Sequence, residues 1–182
     1  IVVDNNSLDE SVNHLRKKFS NKNNLKIVES KENLGFGKAN NCGVNTSQGD
    51  ILIFLNSDTI VNDTDFQKLI SLMNENIGFL SCKILNRDGS IQSLGFKYPS
   101  VINDFKLSLL FWNFNFVKKL RFKNYNNQGL KKVDWVSGCF MICQKEDFKK
   151  IGGFDPEIFM YSEDIDICKN MEIIGKSNYI YD

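Results

Sequence analysis

Asn56, Ser57 and Asp58 form a polar group that directly follows the apolar residues 51–55. An apolar run of this length is too short for a buried helix, so the sequence predicts a strand covered on both faces. Polar residues after such a strand lie at its carboxyl edge, where open α/β sheets place their ligands. A carboxylate beside amide and hydroxyl oxygens suits a divalent cation that also binds phosphate. The group indicates a metal-assisted nucleotide site, although for these three residues alone the capping of a following helix is the favoured explanation.

A second acidic group consists of Glu163, Asp164 and Asp166, which follow Ser162 at the predicted start of a helix. The positive end of the helix dipole stabilises one carboxylate at such a position. Three carboxylates so close together repel one another, so we expect at least one of them to have another task.

The composition fits one globular domain over residues 1–182, with 42% hydrophobic residues and a net charge of +1. A nearly neutral chain is not expected to bind nucleic acid, because nucleic-acid binders carry a strongly basic surface. The five cysteines lie mostly in apolar runs and are interpreted as small buried side chains in a reducing compartment. Their spacing and the single histidine predict no structural zinc.

The sequence contains neither a signal peptide nor an apolar run of about eighteen residues, the length that spans a membrane. It begins with strand residues rather than methionine and ends shortly after another predicted strand. We therefore expect it to be a fragment of a longer protein.

Hydrophobic periodicity predicts alternating strands and helices along most of the chain. Ser7 and Glu10 have the spacing of a capping box for the first helix. The alternation predicts a parallel, right-handed α/β sheet. The expected strands are 1–3, 25–29, 51–55, 139–143 and 177–181, the expected helices are 8–19, 65–75, 146–151 and 163–174, a glycine-bearing turn at 33–43 opens another short helix, and 78–85 pairs with 91–95 as a hairpin.

Two further segments have alternative explanations. Gly35 and Gly37 do not form a dinucleotide fingerprint, because position 40 is asparagine rather than glycine. They allow either a tight turn near a ligand or simply the geometry of a loop. Residues 97–132 are rich in aromatic and basic residues and form a variable insertion, which either lies on an anionic membrane surface or packs on its own domain.

Six motifs in a fixed order resemble the family 2 glycosyltransferases with the A-type fold, most closely the rhamnosyltransferase-like bacterial branch. The resemblance implies a Rossmann-like α/β fold, with a mixed and mostly parallel sheet flanked by helices, incomplete at both ends. The motifs are Asp4-Asn5-Asn6-Ser7-x-Asp9-x-Ser11, Asn33-Leu34-Gly35-Phe36, Gly49-Asp50 with Phe54-Leu55-Asn56-Ser57-Asp58, Trp135-x-x-Gly138, Gly152-Gly153-Phe154-Asp155, and Glu163-Asp164-x-Asp166.

The resemblance assigns donor binding to Asp4, Asn6, Asn33, Gly35 and Asn56. Asp4 would accept a hydrogen bond from the pyrimidine imide of a UDP- or dTDP-sugar. Asn56 replaces the first aspartate of the family's Asp-x-Asp metal motif.

The resemblance also assigns the metal site and the sugar pocket. Asp58, the last residue of that metal motif, would bind Mg²⁺ or Mn²⁺ that bridges the diphosphate. Trp135 and Gly138 would border the sugar, with Trp135 in core packing as the alternative.

The acidic group receives three different roles from the resemblance. Asp164 would be the general base that takes a proton from the acceptor hydroxyl, and Glu163 would position the acceptor or the base. Asp166 would hold structure. Asn170 stands where the family frequently has arginine.

The implied activity is an inverting, metal-dependent transfer of a sugar to a glycan or lipid-linked acceptor in cell-surface polysaccharide synthesis. The implied location is cytoplasmic, with a peripheral contact at the inner face of the plasma membrane. Two alternatives remain open at this point: a nucleotidyltransferase, and a non-catalytic module that binds a nucleotide sugar.

Overall fold

The computed structural model describes residues 1–62, 64–93, 96–99 and 129–182. The membrane contact predicted for the aromatic and basic insertion falls mostly on residues outside these ranges. The described elements are β1 (Val2–Asp4), α1 (Ser11–Lys18), β2 (Ile27–Glu29), α2 (Gly35–Thr46), β3 (Ile51–Leu55), α3 (Phe66–Leu72), β4 (Ile77–Cys82), β5 (Ile84–Leu85), β6 (Ile91–Ser93), β7 (Leu130–Val133), β8 (Phe140–Gln144), α4 (Lys145–Lys150), α5 (Glu163–Ile173) and β9 (Ser177–Tyr181).

The main sheet has five strands in the order β3-β8-β4-β9-β7. β8 is antiparallel to both β3 and β4, β9 is parallel to β4, and β7 is antiparallel to β9. The strands β3, β4 and β9 therefore share one direction, and the expected mixed sheet is confirmed. The purely parallel arrangement predicted from the order of elements is wrong, because β7 and β8 insert in the opposite direction. β1 and β2 form a separate parallel pair.

Helices cover both faces of the main sheet. On one face, α2, α4 and α5 supply Val44, Phe148, Ile167 and Met171 to a buried cluster that includes residues of β3 and β8. On the other face, Leu69 of α3 packs with residues of β4 and β8. Burial on both sides fixes the sheet between the helix layers, so the loops at the strand ends are held in place.

The prediction that β3 is covered on both faces is wrong for the described residues. Leu52 and Phe54 are buried, whereas Ile53 and Leu55 are 39% and 45% exposed. β3 is an edge strand of the five-stranded sheet, and its alternate side chains point to opposite faces. One face of β3 therefore contributes buried side chains to the core, whereas on the other face only the half-buried Ile51 packs against it.

Two local predictions also need correction. α1 begins at Ser11 without a side-chain cap, because the N–H of Ser7 donates to Asp4 Oδ2 at 3.1 Å instead of joining a capping box. The predicted first arm of the hairpin, 78–85, belongs mostly to β4, which is an inner strand of the main sheet. The hairpin itself is present as β5 and β6.

Asn178 on β9 is a buried polar residue that connects three elements. Its Oδ1 accepts from the N–H of Phe79 at 3.1 Å, and its Nδ2 donates to the carbonyl oxygens of Asp134 at 2.8 Å and Cys168 at 3.1 Å. A satisfied buried amide of this kind fixes its neighbours, because breaking the bonds would leave polar groups unpaired. It holds α5 and the segment before Gly138 against the sheet.

Cys143 and Cys168 are fully buried, as the sequence predicts for small apolar side chains. Burial raises the pKa of both thiols. Among the helices of the described ranges, none has the length and apolar character needed to cross a membrane.

Candidate active site

A cleft of about 890 Å³ opens beside the carboxyl end of β3. Asn56 and Asp58 line it directly after the strand, and Ser137 and Cys139 line it just before β8. The β5–β6 hairpin supplies a further wall. The cleft thus lies where the sequence predicts a ligand site, beside the polar residues that follow the carboxyl end of β3.

The segments before β8 and after β3 are joined by a backbone hydrogen bond. The N–H of Asn56 donates to the carbonyl oxygen of Cys139 at 3.0 Å. Burial raises the pKa of the Cys139 thiol, and the charge of the nearby Asp58 carboxylate adds to the effect. Asp58 and Cys139 both line the cleft.

Asp58 does not cap α3, which removes the explanation favoured on three residues alone. The cap is Asp65, whose carboxylate accepts from the N–H of Lys68 at 3.0 Å. Within the described residues, the Asp58 carboxylate has no hydrogen bond and no ion pair. It is available for a ligand.

Asp164 lies at the start of α5 and binds the backbone of the same segment. Its Oδ2 accepts from the N–H of Gly138 at 3.2 Å, and its Oδ1 accepts from the N–H of Ile165 at 2.9 Å. Burial raises the pKa of Asp164, and these two N–H donors oppose the rise. Because Gly138 stands between Ser137 and Cys139, the two predicted acids flank one short segment of backbone.

Glu163 is 8% exposed, and its Oε2 is buried without a hydrogen-bond partner in the part of the chain that the structure describes. Burial raises the pKa of Glu163, and the charge of Asp164 adds to it. Burying a carboxyl oxygen without a hydrogen-bond donor costs free energy, so this oxygen either carries a proton or accepts a hydrogen bond from a bound ligand.

Asp166 faces a different environment from its two acidic neighbours. Its Oδ2 accepts from Asn170 Nδ2 at 3.0 Å, one turn further along α5. Burial raises the pKa of Asp166, and the charge of Asp155 adds to it. The amide of Asn170 is therefore the hydrogen-bond partner of Asp166.

The predicted donor residues Asn33 and Gly35 are connected to the end of β1 by hydrogen bonds of Asn5. The resemblance assigns no role to Asn5. Asn5 Nδ2 donates to Asn33 Oδ1 at 2.9 Å and to the carbonyl oxygen of Gly35 at 3.2 Å. Asn5 Oδ1 accepts from the N–H of Leu34 at 2.8 Å. Asn5 stands in the first of the six motifs, so the motif itself contains the signal that identifies it.

The next two predicted residues, Asp4 and Asn6, frame Asn5 at the end of β1. Asp4 Oδ2 accepts a hydrogen bond from the N–H of Ser7. The other carboxylate oxygen of Asp4 has no hydrogen bond within the described ranges. Asn6 has a φ of 69°, in the left-handed region where asparagine is tolerated better than most residues. The chain turns sharply here and leaves Asp4 at the strand end.

Gly35 brings the donor loop against the loop that precedes α5. Its φ is +77°, and a Cβ at this position would lie 2.1 Å from the carbonyl oxygen of Phe159. The N–H of Phe36 donates to that same oxygen at 3.1 Å. The Phe36 ring in turn reaches Gly138, where a Cβ would lie 3.1 Å from its Cζ. Two features require glycine at Gly35: a Cβ would clash with the carbonyl oxygen of Phe159, and its positive φ is unfavourable for residues with a side chain.

Trp135 does not line the cleft wall, whereas Phe96 does. The two rings are stacked with centroids 4.2 Å apart and an angle of 15° between their planes. Trp135 Nε1 donates to the carbonyl oxygen of Lys97 at 3.0 Å, and Trp135 packs against the main core. Trp135 supports Phe96 from behind, and no motif spacing in the sequence identifies Phe96.

Two residues immediately before Glu163 have strained backbones. Tyr161 and Ser162 have φ angles of 69° and 73° although neither is glycine. Such conformations cost about 1–3 kcal/mol each and persist where surrounding structure enforces them, often at functional sites. The strain turns the chain abruptly into α5 and places Glu163 and Asp164 next to Gly138.

The donor set around Asp58 fits a magnesium or manganese ion better than a metal held by protein alone. Among the residues of the described ranges, no three His, Cys, Asp or Glu side chains form a cluster that could hold a metal. A cation that takes phosphate oxygens and water needs only one or two protein carboxylates. Asp58, with the amide oxygen of Asn56 on the same cleft, meets that requirement.

Comparisons with known proteins identify the family of this chain. The sequence profile described as Glycosyl transferase family 2 matches residues 1–152. The rhamnosyltransferase WbbL of Escherichia coli K12 is 29% identical over 150 residues, which cover 78% of this chain and 55% of that protein. An N-acetylglucosaminyl-diphospho-decaprenol L-rhamnosyltransferase of Mycobacterium tuberculosis is 25% identical over 195 residues, covering 99% of this chain and 62% of that protein. The chain thus spans roughly half to three fifths of the length of these relatives.

A solved structure shows the same fold. The crystal structure of GalNAc-T7 with UDP, GalNAc and Mn²⁺ superposes with a TM-score of 0.69 at 13% sequence identity, over 98% of this chain and 35% of that one. At this identity the likeness concerns the fold alone.

Proposed function

The chain belongs to glycosyl transferase family 2, and from that premise we propose that it transfers a sugar from a UDP- or dTDP-sugar to an acceptor hydroxyl with inversion, assisted by Mg²⁺ or Mn²⁺. One observation carries the proposal: Asp164 binds the N–H of Gly138, and Asp58 lines the cleft together with Ser137 and Cys139, the residues on either side of Gly138. A metal-binding acid and a general base must border one site to act on the two ends of one transfer.

Asp58 and the amide oxygen of Asn56 would hold the cation. When bound, the ion neutralises the charge that builds on the leaving diphosphate. The absence of a competing hydrogen bond or ion pair at Asp58 within the described residues supports this role. Asn56 also fixes the approach of the loop to β8 through its backbone bond to Cys139.

Asp164 would take the proton from the acceptor hydroxyl as that oxygen attacks the anomeric carbon. The N–H groups of Gly138 and Ile165 hold its carboxylate in one orientation. Attack from the face opposite the diphosphate inverts the configuration in one displacement. Because burial raises the pKa of Asp164, its carboxylate is a stronger base than a solvated aspartate. Glu163 would accept a hydrogen bond from the acceptor through its unpartnered Oε2.

The loop built from β1 and residues 33–36 would hold the nucleoside. The unpartnered carboxylate oxygen of Asp4 can accept from a pyrimidine imide. Asn6, Asn33 and Gly35 shape the loop, which touches Gly138 through the Phe36 ring. Gly138 leaves room for the Phe36 ring beside the predicted sugar pocket, and Trp135 acts by supporting Phe96 at the cleft. GalNAc-T7, which has the same fold, was crystallised with UDP and Mn²⁺.

The acceptor would be a glycan or a lipid-linked sugar in cell-surface polysaccharide synthesis. The M. tuberculosis relative takes its name from a diphospho-decaprenol acceptor. A lipid-linked acceptor requires work at a membrane surface, so we place the protein on the cytoplasmic side of the plasma membrane with a peripheral contact.

The test is donor turnover by the full-length protein. It is incubated with UDP- and dTDP-sugars, with and without Mn²⁺, and release of nucleoside diphosphate is measured. Asp164→Asn should abolish transfer and leave donor binding largely intact, whereas the matched change Asp166→Asn should preserve transfer. Consumption of added pyrophosphate, with formation of the nucleoside triphosphate and the sugar 1-phosphate, would point to a nucleotidyltransferase instead. Donor binding without any turnover would point to a non-catalytic module.

A further inference from the structure

The hairpin wall of the cleft carries positive charge. Of the residues that line the cleft, Asp58, Lys83 and Arg87 are charged. Lys83 Nζ lies 2.9 Å from Asp182, which also accepts from Lys131 Nζ at 2.7 Å. One carboxylate thus pairs with two lysines, and Arg87 adds a further positive charge on the hairpin side of the cleft.

Arg87 is presented on a turn whose shape is fixed by its own hydrogen bonds. The N–H of Asn86 donates to the carbonyl oxygen of Ser90 at 2.8 Å, and the N–H of Gly89 donates to that of Asn86 at 3.0 Å. Asp88, the acid next to Arg87, is occupied by the turn, because its Oδ1 accepts from the N–H of Ser90 at 2.9 Å. A turn held in this way needs no further ordering of its backbone when the side chain it carries binds a ligand.

Arg87 itself has no hydrogen bond and no ion pair in the part of the chain that the structure describes. A guanidinium group is a planar fork of donors that matches two oxygens of a phosphate. An unpaired fork on a cleft that also contains Asp58 is placed to receive a phosphorylated group.

The nucleoside end of the donor lies elsewhere. None of the proposed nucleoside-binding residues 4–6 and 33–35 lines this cleft, whereas Asn56 and Asp58 do. The hairpin follows β4, and β8 separates β4 from β3 in the sheet. Neighbouring strands lie about 4.8 Å apart, so the hairpin base begins about 10 Å from the end of β3. A phosphate at Arg87 therefore lies on the hairpin side of the cleft, among lining residues that include none of those proposed to bind the nucleoside.

Exposed apolar side chains accompany Arg87 on the cleft. Ile60 is 75% exposed, Leu85 is 52% exposed and Val61 is 41% exposed, and all three line it. Exposed apolar groups gathered beside a cation fit a ligand that has both a phosphate and a hydrocarbon chain.

We propose that Arg87, supported by Lys83, forms a subsite for the phosphate of an amphiphilic acceptor, a phosphate ester carried on an apolar chain. The inference rests on the proposed glycosyl transfer and specifies its acceptor. The donor's diphosphate is the other source of the same chemistry, and the test separates the two.

The probe is farnesyl diphosphate, used below its micelle concentration, with farnesol as its phosphate-free counterpart. Binding is measured by calorimetry to the full-length protein saturated with UDP and Mn²⁺. The variants are Arg87→Gln and the matched change Arg16→Gln, which removes an exposed arginine on α1 away from the cleft. A second arm measures the affinity of each variant for UDP with Mn²⁺ alone.

We expect Arg87→Gln to weaken farnesyl diphosphate binding about tenfold or more, the loss typical of a charge-assisted pair. Its UDP affinity, and both affinities of Arg16→Gln, should stay within about twofold. Unchanged farnesyl diphosphate binding, equal binding of farnesol, or an equal loss of UDP affinity would each overturn the assignment, the last because the phosphate would then be the donor's. Release of nucleoside diphosphate is assayed separately, so a protein that binds the probe as expected but turns over no donor would refute the transferase and leave the subsite standing.

Discussion

Replacing Gly35 by alanine tests the close contact between the donor loop and the loop that precedes α5. The new Cβ would lie 2.1 Å from the carbonyl oxygen of Phe159, at a φ of +77°. The left-handed conformation costs a residue with a Cβ about 1–2 kcal/mol. Relief of the clash by a backbone shift adds about 1–3 kcal/mol. We therefore expect the free energy of unfolding to fall by about 2–5 kcal/mol, measured by urea denaturation of the full-length protein.

The control is Gly175→Ala, because Gly175 has a φ of +85° but nothing within 4 Å of its Cβ position. It should lose only the conformational part, about 1–2 kcal/mol. The difference between the two variants isolates the clash. Gly35→Ala should also weaken UDP binding, because Asn5 and Asn33 are tied to the same loop. Equal losses of stability in the two variants would show that the donor loop does not press against Phe159.

Three further predictions concern the cleft and the acids beside it. Asp58→Ala should abolish the dependence of UDP binding on Mn²⁺. Calorimetry that gives the parent protein the same affinity for UDP with and without Mn²⁺ would contradict a metal-binding role for Asp58. Asn5→Ala removes three hydrogen bonds and should destabilise the protein by about 1–3 kcal/mol in urea denaturation. Glu163 has a pKa raised mainly by burial above its ordinary 4.5, so the folded protein holds that proton more tightly than the unfolded chain and loses stability as pH rises. Glu163→Gln should therefore gain stability relative to the parent protein between about pH 4 and pH 7, and a difference that does not change with pH would refute the burial argument.

Hydrophobic periodicity and helix-start signals in the sequence predicted most of the strands and helices. Strand runs such as 51–55 and the helix that begins at Glu163 appear where hydrophobic periodicity and helix signals place them. The position of β8 between β3 and β4 could not be read from such signals, because strand order depends on pairings between distant residues. The same limit explains why residues 78–82 were expected in a hairpin and belong to an inner strand.

For the site, motif order predicted the acids, whereas the groups that contact them are brought together only by the fold. Asp58 and Asp164 were named from sequence, but the Gly138 N–H that binds Asp164 is a backbone group with no sequence signal. Phe96 and Arg87 were missed for another reason. They stand outside the motifs, and only the folded hairpin and the stack on Trp135 bring them to the cleft.

The antiparallel pairing of β3 with β8 also bears on how the protein is made. Leu55 pairs with Phe140 and Ile51 with Gln144, so β3 cannot pair until β8 has been synthesised, much later in translation. Pairings so distant along the chain slow folding, because a long loop must close before any contact rewards it. A nascent chain still tethered before residue 144 has an unpaired β3 edge and is exposed to aggregation. The cleft is therefore among the last parts of this domain to take shape during synthesis, and shortened chains that end before β8 should not acquire it.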